Sequence, residues 1–186
     1  MTRVGELGFR GSRVGGSTRR ASAQQMLLDA LDFAYDRQSW HGTNLRGSIR
    51  GLSLTEVSRR PAPGRHNIWE LVVHCAYWKY VVMRRLRGRK RGSFPLEGSN
   101  WFKRPQRGAS AGREGGRAWK DDVALLERMH RELRAAIAAL PAGTITAAQK
   151  GRRRKTTEAW LIHGIIAHDL YHAGQIQILK RFSRSI

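Results

Sequence analysis

Hydrophobic residues recur at helical spacing in four stretches of the chain, separated by segments rich in glycine, proline and arginine. Steps of three and four residues place apolar side chains on one face of an α-helix. The pattern therefore predicts four amphipathic helices. They run from Ala23 to about residue 38, from Ile68 to about residue 87, from Trp119 to Leu140, and from Thr157 to about residue 181.

The first two predicted helices have clear apolar faces. That of the first consists of Leu27, Leu28, Leu31, Ala34 and Tyr35. Asn67 is a favourable N-cap for the second helix, and Glu70 occupies the position of a capping box. The apolar face of the second helix consists of Ile68, Leu71, Val72, Cys75, Trp78 and Val82. His74 lies at the edge of this face, about 40° from Trp78 at 100° per residue.

The third and fourth helices are equally periodic. The apolar seam of the third consists of Leu126, Met129, Leu133, Ala136 and Leu140, and Pro141 and Gly143 follow it. Thr156 is the predicted cap of the fourth. The face of the fourth predicted to be buried consists of Leu161, Ile165, His168, His172, Ile176 and Leu179. Two histidines therefore lie in line with core residues.

Four amphipathic helices without a convincing strand pattern predict an all-α fold, a four-helix bundle spanning residues 23–186. Residues 1–22 are rich in arginine, glycine and serine, and we expect a basic, disordered and dispensable tail. Residues 88–118 have no clean period and many glycine, proline and basic residues. A loop of this length in a compact domain is functional or mobile.

The charge of the chain adds a possible class of partner. Lysine and arginine number 35 against 14 aspartate and glutamate, a net charge of +21 that attracts anions such as nucleic acid or small acidic substrates. A single cysteine, Cys75, excludes an internal disulfide. No apolar run approaches the roughly 20 residues that span a bilayer. We expect a cytoplasmic protein without a membrane segment.

His168 and His172 are four residues apart on one helical face, so both imidazoles can reach one divalent ion. His74 is the best candidate for a third ligand, because it borders the core face of another long helix. Three neutral imidazoles suit Zn or Ni first, with Fe or Mn as alternatives. The competing interpretation is a set of core histidines that hydrogen-bond to neighbours, since an unpartnered buried polar group costs about 1–3 kcal/mol. His163 lies on the opposite side of the helix.

Three segments resemble the DinB-like superfamily, which includes the YfiT-type metal hydrolase-like proteins: SWHGTNLRGSIRGLSL, RPAPGRHNIWELVVHCAYWK and GIIAHDLYHAGQIQILKR. The resemblance covers about residues 23–182. It implies a four-helix bundle with a metal site formed by His74, His168 and His172, with Gln175 in a supporting role. Some members of this family are thiol-dependent transferases or isomerases, and members often form dimers.

We therefore expect a metal-dependent enzyme with a small-molecule substrate. The reaction would be a transfer or isomerisation that uses a low-molecular-weight thiol, or a hydrolysis. We also expect a homodimer. No residue beyond the three histidines stands out as a base or nucleophile, so the reactive group would be a water or a thiol held by the ion. One alternative is a nucleic-acid-binding protein with basic clusters at residues 84–91 and 150–155. In that interpretation Trp101 and Phe102, beside Lys103 and Arg104, would stack on bases. The other is a metal-binding bundle without activity.

Overall fold

A computed structural model of the protein describes residues 22–38, 40–105, 112–141, 143–145 and 157–184, which form six helices and no strand. The helices are α1 (Ala23–Tyr35), α2 (Leu45–Ser48), α3 (Leu54–Ser58), α4 (Ile68–Leu86), α5 (Arg113–Ala138) and α6 (Glu158–Arg184). The predicted all-α fold is confirmed. Three of the four long helices, α1, α4 and α6, begin within one residue of their predicted starts, and α5 begins earlier than predicted. Helices α2 and α3 occupy the glycine-interrupted stretch between α1 and α4.

Side-chain caps define the starts of several helices. Ser22 accepts a hydrogen bond from the Gln25 amide and caps α1, so it belongs to the bundle and not to the predicted tail; residues 1–21 lie outside the described part of the chain. The predicted capping box of Asn67 and Glu70 is present at the start of α4. A second capping box, of Ser53 and Glu56, begins α3. Each such cap contributes roughly 1 kcal/mol.

Two predicted helix starts need correction. Helix α5 begins at Arg113, six residues before Trp119, although its N-cap residue is Gly112 and no side chain caps it. Gly115 is buried and Gly116 faces Leu54 of α3, so tertiary packing holds two poor helix formers in the first turn. The Thr157 hydroxyl accepts from the Trp160 amide at the start of α6, so Thr157 is the cap. The predicted cap, Thr156, lies outside the described residues.

Helix α4 is central and packs against both α5 and α6, while α1 packs against α6 and α5. The apolar core consists of two clusters along the bundle axis. One surrounds the first half of α4 and includes Trp69 and Leu126, and the other surrounds its second half and includes Leu31 and Ile162. Within the described chain, no helix has both the length and the apolar character of a membrane span.

The segment after α4 is attached to the core by aromatic residues. Phe102 is buried, and its ring lies 5.5 Å from that of Tyr77 and 5.2 Å from that of Phe94. These contacts hold the neighbouring Asn100 and Trp101 against α4. The described part of the long basic loop is therefore packed on the bundle, and it covers one end of the site formed by α4 and α6.

Candidate metal centre

The structure brings together the three histidines that the sequence singles out. His74 comes from α4, and His168 and His172 come from successive turns of α6. The Nε2 atom of His168 lies 3.1 Å from that of His74 and 3.1 Å from that of His172. One nitrogen from each ring can be chosen so that all three lie within 4.8 Å of one another.

These separations match a tetrahedral ion. Zinc–nitrogen distances of 2.0–2.1 Å at tetrahedral angles place two ligand nitrogens ~3.3 Å apart. The two observed Nε2 separations of 3.1 Å are close to this value. The rings of His74 and His172 have centroids 4.9 Å apart, so one ion can join all three side chains. The donor set therefore fits a divalent ion with at least one position left for another molecule.

The far nitrogens of two of the rings have partners that fix the tautomer. His74 Nδ1 lies 2.8 Å from the carbonyl oxygen of Asn100, and His172 Nδ1 lies 2.7 Å from Oε1 of Gln175. Both partners are acceptors, so each Nδ1 donates its proton and each Nε2 keeps a free lone pair. Partners of this kind orient metal-binding histidines and increase their basicity.

The supporting contacts extend one residue further on each side. The Asn100 side chain accepts from the indole nitrogen of Trp78 at 2.9 Å, and the Gln175 amide donates to the Tyr171 hydroxyl at 3.0 Å. Nδ1 of His168 is buried and has no hydrogen-bond partner among the described residues. With its Nε2 shared between two other imidazoles, this ring is incompletely satisfied by protein alone.

Burial keeps the three rings neutral. It lowers the pKa of His74 to about 4, against a weaker opposing effect of the Asn100 carbonyl. It also lowers the pKa of His168 to about 3, with the neighbouring imidazoles of His172 and His74 contributing. Desolvation lowers the pKa of His172 in the same direction. Neutral imidazole is the form that binds a metal.

Trp101 covers the His74 side of the site. Its ring stacks on His74 at 3.9 Å between centroids and on His66 at 3.6 Å. Trp78 contacts His74 edge-on from the same helix. The aromatic surfaces exclude water from this side of the triad, which strengthens electrostatic interactions there.

A groove of about 530 Å³ lies beside the triad, between α6 and the residues around α3 and α4. His172 and Gln175 line its wall, and Trp101 and Tyr171 flank them. This volume lies in the range of small-molecule sites. The groove therefore gives a small ligand access to the triad next to His172.

A second cluster of donor atoms is less suited to a cation. Atoms of Cys75, His168 and Asp169 lie within 4.8 Å of one another. Burial raises the pKa of the Cys75 thiol well above its usual value, so the thiol stays protonated. The ammonium of Lys79 already contacts the Asp169 carboxylate. Cys75 is a core residue, as its place in the apolar face of α4 indicates.

The other histidines lie outside the triad. His163 is exposed, as the helical wheel predicts, and so is His41. His130 is buried against Tyr35, with ring centroids 3.7 Å apart. His66 contacts Glu70 at 3.0 Å, and this carboxylate also caps α4 and pairs with Arg60. Glu70 is therefore committed to structural contacts.

Two residues that support the site could not be found from helical periodicity. Asn100 and Trp101 belong to a loop, so no repeat positions them. Asn100 has a positive φ of 61°, a conformation that asparagine tolerates better than most residues. An asparagine and a tryptophan beside glycine in a long loop are the only available sequence signal. Phe102, considered above as a base-stacking residue, is instead buried in the core.

Comparison with known proteins identifies the family of the chain. The sequence model described as the DinB superfamily matches residues 37–176, which include α2 to α5, the three histidines and Gln175. Neither the curated proteins nor the solved structures gave a significant match to the chain.

Proposed function

Because the chain belongs to the DinB superfamily, we propose that it is a metal-dependent enzyme in which His74, His168 and His172 hold one divalent ion. The convergence of three Nε2 atoms carries this proposal. Two of the three rings donate their Nδ1 protons to fixed acceptors, so their Nε2 lone pairs are free and point at a common centre. Three imidazoles suit Zn or Ni best, and Fe or Mn next.

The chemistry follows from an open coordination position beside a groove. Such an ion lowers the pKa of a water or thiol that it binds and polarises a substrate oxygen. The protein residues orient and enclose the centre: Asn100 and Gln175 hold two imidazoles, and Trp101 shields one face. We propose a small-molecule substrate that enters by the groove, in either thiol-dependent transfer or hydrolysis.

Elemental analysis of the protein purified without added metal tests the site. We expect about one equivalent of a divalent transition metal per chain, as a single three-histidine centre holds. His172→Ala should lose it. His163→Ala, an exposed histidine on the same helix, is the matched control and should retain it.

Activity is then measured on the metal-loaded protein with thiol acceptors and with hydrolysable esters and amides. Turnover that disappears in His172→Ala and persists in His163→Ala supports the enzyme. A protein that binds no divalent metal under any loading condition would rule out the proposal.

A further inference from the structure

The groove beside the triad has an unusual wall. Tyr171, Gln175, Ile178 and Phe182 follow one another along α6 at steps of four, three and four residues and share one face. Tyr171 is 63%, Ile178 56% and Phe182 61% exposed. Large apolar side chains at helical spacing are normally turned into the core. Here they line a concave surface that contains a candidate metal ligand.

The polar groups of the groove are few and lie near one another in sequence. His172 and Gln175 lie on α6, with Arg65 and His66 opposite. Arg65 is the one charged side chain among the described residues that line the groove, and no carboxylate is among them. A cationic ligand would therefore find no counter-charge, whereas an uncharged or anionic polar group is accommodated.

We propose that this groove binds an amphipathic substrate whose polar head reaches His172 and whose alkyl or aryl body lies along α6 over Ile178 and Phe182. The chemistry of the head rests on the proposed metal-dependent function. The binding of the apolar body rests on the groove alone. A small molecule is favoured over a protein partner because the apolar wall is continuous with the histidine site and borders a groove of ligand-sized volume.

Straight-chain carboxylates of increasing length test the inference, because they differ only in apolar surface. Butyrate, hexanoate and octanoate are titrated calorimetrically into the metal-free and the zinc-loaded protein. Each fully buried methylene tightens binding about fourfold, so about twofold per methylene is expected in an open groove. Octanoate, with four more methylenes than butyrate, should thus bind about 16-fold more tightly in both forms.

Matched variants locate the binding. Ile178→Ser and Phe182→Ser should abolish most of the dependence on chain length. Trp160→Ser should preserve it, because Trp160 is 45% exposed on the same helix but outside the groove. Affinities that do not change with chain length would overturn the inference, as would a dependence that the two groove variants leave intact.

Sedimentation velocity of the same variants tests whether a second copy of the chain, and not a small molecule, covers the groove. A dimer that Ile178→Ser converts to monomers, together with no carboxylate binding, would show that the wall is an interface and would overturn the inference. Chain-length dependence in a protein that binds no zinc would support the groove while refuting the proposed metal function. The two failures are therefore distinguishable.

Discussion

The bundle contains two clusters of buried polar side chains that differ in how their hydrogen-bonding groups are satisfied. The first is the histidine triad at the groove. The second lies where the two apolar clusters of the core meet, and it joins Lys79 of α4, Asp169 of α6, His130 of α5 and Asp32 of α1.

The second cluster is closed by opposite charges. Lys79 and Asp169 are completely buried and in contact, and the Lys79 ammonium also lies 4.9 Å from the centre of the Tyr35 ring. Asp32 accepts from Arg134 at 2.9 Å. The charged groups of the cluster are paired with opposite charges, Lys79 with Asp169 and Arg134 with Asp32, and the cluster links four helices, although Oδ1 of Asp169 has no hydrogen-bond partner among the described residues.

The triad contains no opposite charge. Three neutral imidazoles direct their Nε2 atoms at one another, two of them with the far nitrogen held by an acceptor. Protein groups alone leave an excess of lone pairs there. The comparison indicates that polar burial alone does not mark a binding site. The useful criterion is whether the buried polar groups have partners of opposite charge inside the protein.

The largest loss of stability is expected from Lys79→Met, which breaks the ion pair of the closed cluster. The substitution leaves the Asp169 carboxylate buried without its cation, and breaking a buried ion pair in this way costs about 3–5 kcal/mol. We expect the free energy of unfolding, measured by urea denaturation, to fall by this amount.

The double variant Lys79→Met/Asp169→Leu is the control for Lys79→Met. It removes both charges and should recover most of the loss, because an apolar pair of similar volume is often as stable as a buried ion pair. A single variant as stable as the wild type would mean that the cluster does not hold the helices together.

His74→Ala should impair metal binding at the triad and leave the closed cluster and the helices intact. It removes one of three ligands, so we expect metal affinity to fall by more than the roughly 10–100-fold that loss of a supporting residue causes. Helicity should be unchanged, because His74 lies at the edge of the apolar face. Metal content is measured by elemental analysis and helicity by circular dichroism.

His66→Ala is the matched control for His74→Ala. Its ring also stacks on Trp101, but its nitrogen contacts Glu70 and it lies outside the triad. Equal metal loss in both variants would show that the histidines support Trp101 instead of holding an ion.

Hydrophobic periodicity was sufficient to predict the four long helices, because the predicted face of α1 is fully buried and the faces of α4 and α6 bury most of the residues expected. It also placed His168 and His172 in line with the core, because both histidines occupy positions of the three-and-four-residue repeat that the apolar residues of α6 follow. It failed at the start of α5, where Gly115 and Gly116 weaken the pattern and packing against α3 maintains the helix.

The closed cluster was missed although it left a signal. Lys79 lies four residues after Cys75 and three before Val82, both on the predicted apolar face of α4. Asp169 lies four residues after Ile165 on α6. Opposite charges at core spacing on two helices indicate a buried pair, but the pairing itself depends on helix register. Asn100 depends on a loop conformation that periodicity cannot supply.

Gln175→Leu should reduce metal affinity at the triad by less than His74→Ala does. The Gln175 carbonyl accepts the Nδ1 proton of His172, so its loss frees the ring to change tautomer. Metal affinity should decrease about 10–100-fold, as for other residues that orient metal-binding histidines. Competition with a fluorescent chelator measures it. Tyr171→Phe removes only the hydroxyl that Gln175 contacts, and it should change affinity less than Gln175→Leu does.

The smallest effect concerns acid stability of the closed cluster. Desolvation, with the nearby Lys79, Arg134 and Arg131 cations, lowers the pKa of His130 from 6.5 to about 2. Below pH 6.5 His130 therefore binds a proton in the unfolded chain but stays neutral in the folded protein. The free energy of unfolding decreases as the pH falls from 6.5 towards 2. Protonation of His130 in the unfolded chain should lower the free energy of unfolding by about 1 kcal/mol over the first pH unit below 6.5.

His130→Phe keeps a ring against Tyr35 but cannot titrate, so its unfolding free energy should decline less steeply over that interval. Urea denaturation with chelator present measures both slopes without a contribution from bound metal. Trp160→Ser, which changes an exposed side chain outside both polar clusters, is the control and should follow the wild type. Parallel curves for His130→Phe and the wild type would show that His130 is protonated in the folded protein, and the cluster would then be less closed than its contacts indicate.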